Sequence, residues 1–258
     1  MSRYPFRSAL VTGASSGIGE VMVRLLAADG VSTVVVARRA DRLAALAAEL
    51  PGVEVLAADL ATDHGLGVVA ERLRAGSVDL LVNNAGFGAS GTVASIEPER
   101  LTGEILVNVL ALTALTRAAL DPMLAAGRGW ILNVSSVASF QPAPNLAVYA
   151  ATKAYVTSFT ESLHEELRGT GVRATALCPG LTRTEFQSVS NTEGYADRYP
   201  GFAWTSAEEV AAAGLAGVAK GDVITVPGVL YKALAGLSGV TPRWAARRVA
   251  GAVTSFPR

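Results

Sequence analysis

The chain has 258 residues, half of them hydrophobic and 17% charged, with 22 basic side chains balanced by 22 acidic ones. That supplies enough apolar surface for one large α/β core, and nothing in the overall charge suggests the strongly basic face by which proteins bind nucleic acid. A single cysteine, Cys178, excludes an internal disulfide, and the widely separated His64 and His164 give no metal-ligand spacing, so no metal site is expected. The opening MSRYPFRSALVTG lacks the apolar core of a signal peptide, and no stretch of about 20 residues is uninterruptedly apolar. The expectation is a cytoplasmic protein without a transmembrane helix.

Short β-rich runs alternate with helical stretches from the start. Ala9–Thr12 is an apolar strand ending at Gly13, and Ile18–Ala28 a helix stopped at Gly30. Thr33–Ala37 is the second strand, followed by a helix that Asp41 is expected to cap and that ends before Pro51. Val53–Ala57 and Asp79–Val82 are the third and fourth strands, with no helix assigned between them. Pro98 opens a long helix in its first turn, where proline is tolerated. Trp130–Val134 is the fifth strand, and Tyr149–Arg168 a long helix with Phe159, Leu163 and Leu167 on one stripe. Val172–Leu177 is the sixth strand. Ser206–Val218 is a helix for which Thr205 and Glu208 have capping-box spacing, and Asp222–Val226 is the seventh strand.

Strands that read as continuous apolar runs are buried on both faces, and their alternation with helices implies a parallel sheet. The fold class is therefore α/β: a single Rossmann-like, doubly wound parallel sheet of about seven strands with helices on both faces, its ligand beyond the carboxyl ends of the strands. One domain is expected, its catalytic part spanning 1–227 with a substrate loop at about 185–205 and a C-terminal extension at 228–258.

The segment Thr12-Gly13-Ala14-Ser15-Ser16-Gly17-Ile18-Gly19 joins the first strand to the first helix. Such a turn sets backbone N–H groups and a positive helix end against a pyrophosphate. Gly13 allows the turn, Gly17 lets phosphates approach, and Gly19 lets the helix pack close. The second strand ends in Ala37-Arg38-Arg39. An acid there would accept from a ribose 2′-hydroxyl, whereas a guanidinium fork binds a 2′-phosphate, so Arg38 and Arg39 point to NADP(H). Tyr149 and Lys153, at i and i+4, share a helix face, and a nearby ammonium favours the phenolate over the ordinary phenol, whose pKa is about 10.

The TGxxxGxG turn, Asn83-Asn84-Ala85-Gly86 after the fourth strand and the Tyr149/Lys153 pair resemble the short-chain dehydrogenase/reductase family over nearly the whole chain, to about Val226. The resemblance implies that Asp59 with Leu60 meets the adenine and that Asn83, Ala85 and Gly86 flank the cofactor. The family's serine precedes its tyrosine by 13 residues, which selects Ser136 over Ser135. Asn108, mid-helix in LVNVLAL, matches the asparagine that organises a water near the lysine. Pro179-Gly180-Leu181-Thr182-Arg183-Thr184 matches the segment that grips the carboxamide, through the Thr182 backbone and the Thr184 hydroxyl. The implied activity is hydride transfer between NADP(H) and a small-molecule carbonyl or alcohol, with Asn108, Ser136, Tyr149 and Lys153 catalytic. A non-catalytic NADP(H)-binding sensor on the same fold and an epimerase or dehydratase relative are the competing readings, the latter without the TGxxGxxG turn its class carries.

Aromatics at Phe186, Tyr195, Tyr199, Phe202 and Trp204 form either a lid over an apolar substrate or anchors for the loop. Small residues on the two long helices, Ala111, Ala114, Ala118, Ala119 and Ala154 among them, fit either a homodimer or homotetramer interface or packing on the sheet. Residues 228–258 carry five basic side chains and no acid. They read either as a flap over the cleft or against a partner subunit, or as an amphipathic segment making weak contact with a membrane surface.

Overall fold

The computed structural model describes residues 3–192 and 199–254. Seven parallel strands form one sheet in the order β3-β2-β1-β4-β5-β6-β7. These are β1 (Ser8–Thr12), β2 (Ser32–Ala37), β3 (Val53–Ala57), β4 (Leu80–Asn83), β5 (Gly129–Val134), β6 (Val172–Leu177) and β7 (Ile224–Thr225). The helices between them are α1 (Gly17–Ala28), α2 (Ala40–Glu49), α3 (Asp63–Arg74), α4 (Pro98–Ile105), α5 (Leu112–Ala125), α6 (Ala147–Glu166), the short α7 (Phe186–Val189) and α8 (Ala207–Lys220). Two more, α9 (Val229–Val240) and α10 (Arg243–Thr254), follow the last strand.

The two faces of the sheet are set by the period of two along each strand. Val11, Val35, Val82 and Leu132 pack with Met22 and Leu26 of α1, Leu43 of α2 and Leu215 of α8. Their neighbours Leu10, Val34, Leu81 and Ile131 face the other way, onto Leu73 of α3, Leu115 and Ala118 of α5 and Leu163 of α6. The strand order reverses between β1 and β4, so a crevice opens there at the carboxyl edge.

Several elements differ from the sequence reading. Helix α3 is present between the third and fourth strands, capped by Thr62, whose Oγ1 accepts from the Gly65 amide at 3.1 Å. Gly65 and Gly67 lower its helical propensity, but a Cβ at Gly65 would collide with the Asp59 backbone, so packing outweighs propensity. Strand β3 lies at the sheet edge and is largely exposed rather than buried on both faces, and β7 is only two residues long. Helix α2 starts at Ala40, which makes Asp41 a first-turn acid and not the cap. The cap of α8 is Ser206, accepting from the Glu209 amide at 3.1 Å, because Thr205 is held extended in a bridge to Thr182. The helix opened by Pro98 contains a π-helical turn at Leu106–Ala111 before continuing as α5.

Helices α4 and α5 together are long and apolar enough to cross a membrane by composition, which the sequence reading did not credit. Here Ala111, Leu115, Ala118, Ala119 and Met123 of this unit sit in the core against the sheet. Those alanines therefore pack on the sheet, whereas Ala154 is exposed on the outer face of α6.

Candidate active site

The crevice is a continuous cleft of about 1010 Å³ along the carboxyl edge of the sheet. At the switch point, the Thr12 hydroxyl accepts from the amides of Asn84 and Ala85, each at 3.0 Å. The Asn84 side chain donates back to the carbonyls of Thr12 at 2.9 Å and Gly13 at 3.2 Å. These bonds fix the glycine turn against the loop after β4, and they give Asn84 a place in the site that the sequence reading did not assign. Gly13 and Gly17 have φ of +67° and +59°, the left-handed region that glycine occupies without strain. A Cβ at Gly17 would stand 3.1 Å from Cβ of Thr184, so the turn and the loop after β6 nearly touch across the cleft. Ser15, Ser16 and Ile18 line the cleft beside them. Gly19 does not line it; a Cβ there would stand 2.5 Å from the Gly13 carbonyl, so its work is close packing of α1 on the turn.

Arg38 and Arg39 line one end of the cleft, with Asp59 and Leu60 alongside. Asp59 Oδ1 accepts from the Ala61 amide at 3.0 Å. The Arg39 guanidinium donates to Ser16 Oγ at 2.7 Å, to Ser15 Oγ at 2.9 Å and to Glu185 at 2.9 Å. Arg42 also pairs with Glu185, at 2.7 Å, and holds its carboxyl below the usual range together with Arg39.

Asn83 is not at the cleft. Its amide donates to Thr116 Oγ1 at 3.0 Å and Asn133 Oδ1 at 2.9 Å, tying β4 to β5 and α5. A side chain on a strand this deep in the sheet points into the core, and the cleft is lined by its successors Asn84, Ala85 and Gly86. Asn108 also stands behind the lining, in the π-helical turn. Its Oδ1 accepts from the Phe87 amide at 3.1 Å, and its Nδ2 donates to the Phe87 carbonyl at 2.9 Å and Thr152 Oγ1 at 3.1 Å. The widened turn aims the amide inward, and Asn108 thereby clamps the loop after β4 to α6. Gly86 passes between, where a Cβ would stand 2.8 Å from Asn108 Oδ1 and 3.4 Å from Lys153 Nζ.

Ser135 and Ser136 separate at the end of β5. The Ser135 hydroxyl is buried, donating to the Lys153 carbonyl at 2.8 Å and bonded to Thr157 at 2.7 Å. Ser136 Oγ accepts from the Ala138 amide at 3.1 Å and neighbours the Tyr149 phenol. Tyr149 packs on Phe186, ring centroids 5.5 Å apart. Lys153 is buried, its Nζ 5.7 Å from the Tyr149 ring centroid and donating to the Val134 carbonyl at 2.8 Å. Burial pushes the phenol up to about 12, with Ser136 opposing and Glu104 reinforcing the shift. Burial also brings Lys153 down to about 8, against the pull of Cys178 and Glu104. The expected lowering of the Tyr149 pKa by Lys153 is not found: both groups are desolvated, Ser136 is what opposes the rise, and the ammonium donates to the Val134 carbonyl.

Past Pro179 and Gly180, Thr182 Oγ1 donates to the Gly180 carbonyl at 3.1 Å and Thr184 Oγ1 accepts from the Phe186 amide at 3.2 Å. Of the loop aromatics, Phe186 and Tyr199 line the cleft. Phe202 is 81% exposed, and Trp204 lies under Arg183 with its Nε1 donating to the Tyr199 carbonyl, so these two are not lid residues. Tyr195 lies outside the described residues. Helix α9 folds over the cleft: Leu230, Tyr231, Leu234 and Leu237 line it. Tyr231 is buried, donating to the Ala203 carbonyl at 2.6 Å and accepting from the Leu181 amide at 3.1 Å. Nothing in the sequence singled out Tyr231 from the other apolar residues of that helix.

The short chain dehydrogenase model matches residues 7–194. An uncharacterized oxidoreductase of Myxococcus xanthus is 38% identical over 198 residues, which are 74% of this chain and 78% of that protein. A short-chain dehydrogenase from Sphingobium yanoikuyae, solved in complex with NADPH, superposes with a TM-score of 0.82 at 33% identity, covering 92% of this chain and 97% of its own. A bulky-bulky ketone specific alcohol dehydrogenase from Comamonas testosteroni does so with a TM-score of 0.78 at 30% identity, covering 92% and 96%. With a parallel sheet that reverses at the glycine turn, and a family match over most of its length, the chain belongs to the short-chain dehydrogenase family.

Proposed function

We propose that the chain is an NADP(H)-dependent oxidoreductase that moves a hydride between nicotinamide and the carbonyl or secondary-alcohol carbon of a bulky, largely apolar substrate. The observation that carries this reading is the convergence of Ser136, Tyr149 and Lys153 on the same cleft as the glycine turn and Arg39. The NADPH complex of the Sphingobium relative supports the choice of cofactor. So does the end of β2, where two arginines stand and no acid does.

The residues present fit the dinucleotide. Gly17 leaves between the turn and Thr184 a gap that a Cβ would narrow, and the Ser15 and Ser16 hydroxyls already draw Arg39 toward the turn. When bound, the nicotinamide supplies or accepts the hydride. Arg38 and Arg39 hold the 2′-phosphate, Asp59 and Leu60 flank the adenine, and Ala85 and Gly86 line the middle of the path. Pro179, Gly180, Thr182 and Thr184 grip the carboxamide end. Ser136 and Tyr149 hold the reacting oxygen, and Tyr149 donates its proton in reduction and receives one in oxidation. Lys153 keeps a positive charge beside the phenol, and Asn108 fixes the loop and helix that position both.

The apolar substrate is supported by Phe140, Leu146, Phe186, Val189, Leu230 and Leu234, which line the remaining cleft, and by the bulky ketones named for the Comamonas relative. Exposed Leu110 and Tyr155 on the two long helices support a homo-oligomer, which light scattering would test. The functional test is NADPH oxidation against a panel of ketones of increasing bulk, with NADH as the paired cofactor. Turnover of bulky ketones with NADPH is expected; no turnover across the panel, or a preference for NADH, would overturn the reading.

A further inference from the structure

Glu185 follows Thr184 in the loop after β6, whereas Arg39 and Arg42 stand at the start of α2, after β2. Strands β2 and β6 are separated by β1, β4 and β5, four strand spacings or roughly 19 Å along the sheet edge. The two sides meet because the loop after β6 crosses the mouth of the cleft. Arg39 and Glu185 both line that cleft, and their ion pair closes over it at 2.9 Å. The Arg39 guanidinium is divided: Nη2 and Nε face the Ser15 and Ser16 hydroxyls, and Nη1 faces Glu185. Arg42 donates from one nitrogen to both carboxyl oxygens of Glu185, at 2.7 and 2.9 Å, and does not itself line the cleft.

Fold stability gives little reason for this triad. The side chains of Arg39, Arg42 and Glu185 are 39%, 44% and 45% exposed, and ion pairs so exposed contribute little to folding. Their place across the cleft gives a better one. The Nη1 edge that Glu185 holds belongs to the side chain read above as a 2′-phosphate ligand. A 2′-phosphate brings roughly two negative charges, and it cannot share that edge with a carboxylate without repulsion. A 2′-hydroxyl makes no such demand. We propose that Glu185 is a specificity-determining residue of the nucleotide site, a carboxylate that competes with the 2′-phosphate for Arg39 and is drawn aside by Arg42. This rests on the cofactor reading above and adds two residues to that site, one acting against the phosphate and one acting only on Glu185.

Against a 2′-hydroxyl, Arg39 stays on Glu185. When a 2′-phosphate enters, its oxygens take the Nη1 edge, so one charge-assisted bond replaces another, and Glu185 keeps both of its oxygens on Arg42. The carboxylate thus retains a partner, and the loop that carries it keeps its anchor on α2. That loop runs directly into Phe186, which packs on Tyr149, so the anchor also holds a wall of the reacting end. Without Arg42, Glu185 has Arg39 alone and opposes the phosphate in full.

The test is fluorescence titration of NADPH and NADH at low ionic strength, where exposed charges are least screened. Wild type is compared with Glu185→Gln, Arg42→Ala and the double variant. Glu185→Gln should tighten NADPH by about fivefold, the upper range for an exposed ion pair, and shift NADH by less than about twofold. Arg42→Ala should weaken NADPH by about three- to fivefold. In the Glu185→Gln background the same change should move NADPH by less than about twofold, because the residue it restrains is then neutral. NADPH binding left unchanged or weakened by Glu185→Gln would overturn the proposal, since the carboxylate would be idle or would help to aim Arg39. Equal tightening of both nucleotides would overturn it as well, since the bridge would then only obstruct entry. An Arg42→Ala loss that persists in full in the double variant would make Arg42 a phosphate ligand in its own right and overturn the role given to it. A wild type that binds NADH as tightly as NADPH, with Arg39→Ala affecting neither, fails the cofactor reading and the proposal together. A wild type that prefers NADPH while Glu185→Gln does not tighten it fails the proposal alone.

Discussion

The Tyr231 ring lies directly on Gly180, so close that a methyl group at Gly180 would overlap it. This contact joins α9 to the loop that follows β6, and its energetics are testable. Gly180→Ala should destabilise by about 1–3 kcal/mol, the usual cost of overpacking. Tyr231→Phe keeps the ring but strips the Leu181 amide and the Ala203 carbonyl of their partner, at about 1–3 kcal/mol if both stay buried. Thermal unfolding of each variant would measure this. A Tyr231→Phe variant with an unchanged Tm would show that the two backbone groups are not sealed.

Arg39 makes the second prediction. Its guanidinium already joins the Ser15 and Ser16 hydroxyls, placing a charge-assisted fork at one end of the cleft. Arg39→Ala should weaken NADPH binding by about 10- to 100-fold, equivalent to roughly 1.5–3 kcal/mol for a hydrogen-bonded charge. NADH binding should hardly change. Fluorescence titration of both nucleotides checks this, and equal weakening of the two would remove Arg39 from the 2′-phosphate site.

Tyr149→Phe removes only the proton donor while the ring keeps its packing on Phe186. Turnover should fall by at least about 100-fold, with NADPH affinity intact. Lys153→Ala should lower both, because the residue lines the same cleft as the phenol and the glycine turn. Steady-state kinetics together with binding titrations separate the two patterns.

The features legible in the sequence are those with a local cause. The β1 turn needs glycine at two left-handed positions, so its spacing shows in the chain. The pair Tyr149 and Lys153 lies on one helix face, where i and i+4 juxtaposition follows from helix geometry alone. What stayed hidden depends on tertiary position. Asn83 and Asn84 are adjacent and chemically identical, yet the strand's alternation sends one into the core and the other to the turn. Helix α3 escaped notice because Gly65 and Gly67 dilute its propensity, and only the fold shows why Gly65 is required. Glu104 in the sequence is one acid among 22; its burial without a partner becomes visible only when α4 docks.

That burial gives the last prediction, on stability against pH. The folded pKa of Glu104, about 7, lies above the ordinary 4.5, so the unfolded chain binds fewer protons over that interval. Stability must then fall as pH rises from about 4.5 to about 7, and above that the full cost is present. The gap corresponds to roughly 3 kcal/mol, at about 1.4 kcal/mol per pKa unit. Lys153 acts in a different window: its folded pKa, about 8, lies below 10.5, so its burden eases as pH rises from about 8 to 10.5. The two together place a trough in stability between the two folded values. Glu104→Gln removes the acid-side slope without removing volume, so it should match wild type near pH 4 and exceed it near pH 8 by up to about 3 kcal/mol. Denaturant unfolding at both pH values measures the difference. A glutamine variant less stable than wild type at the higher pH would show that the carboxylate is stabilised there by a partner, and that the fold does not bear the cost argued for it.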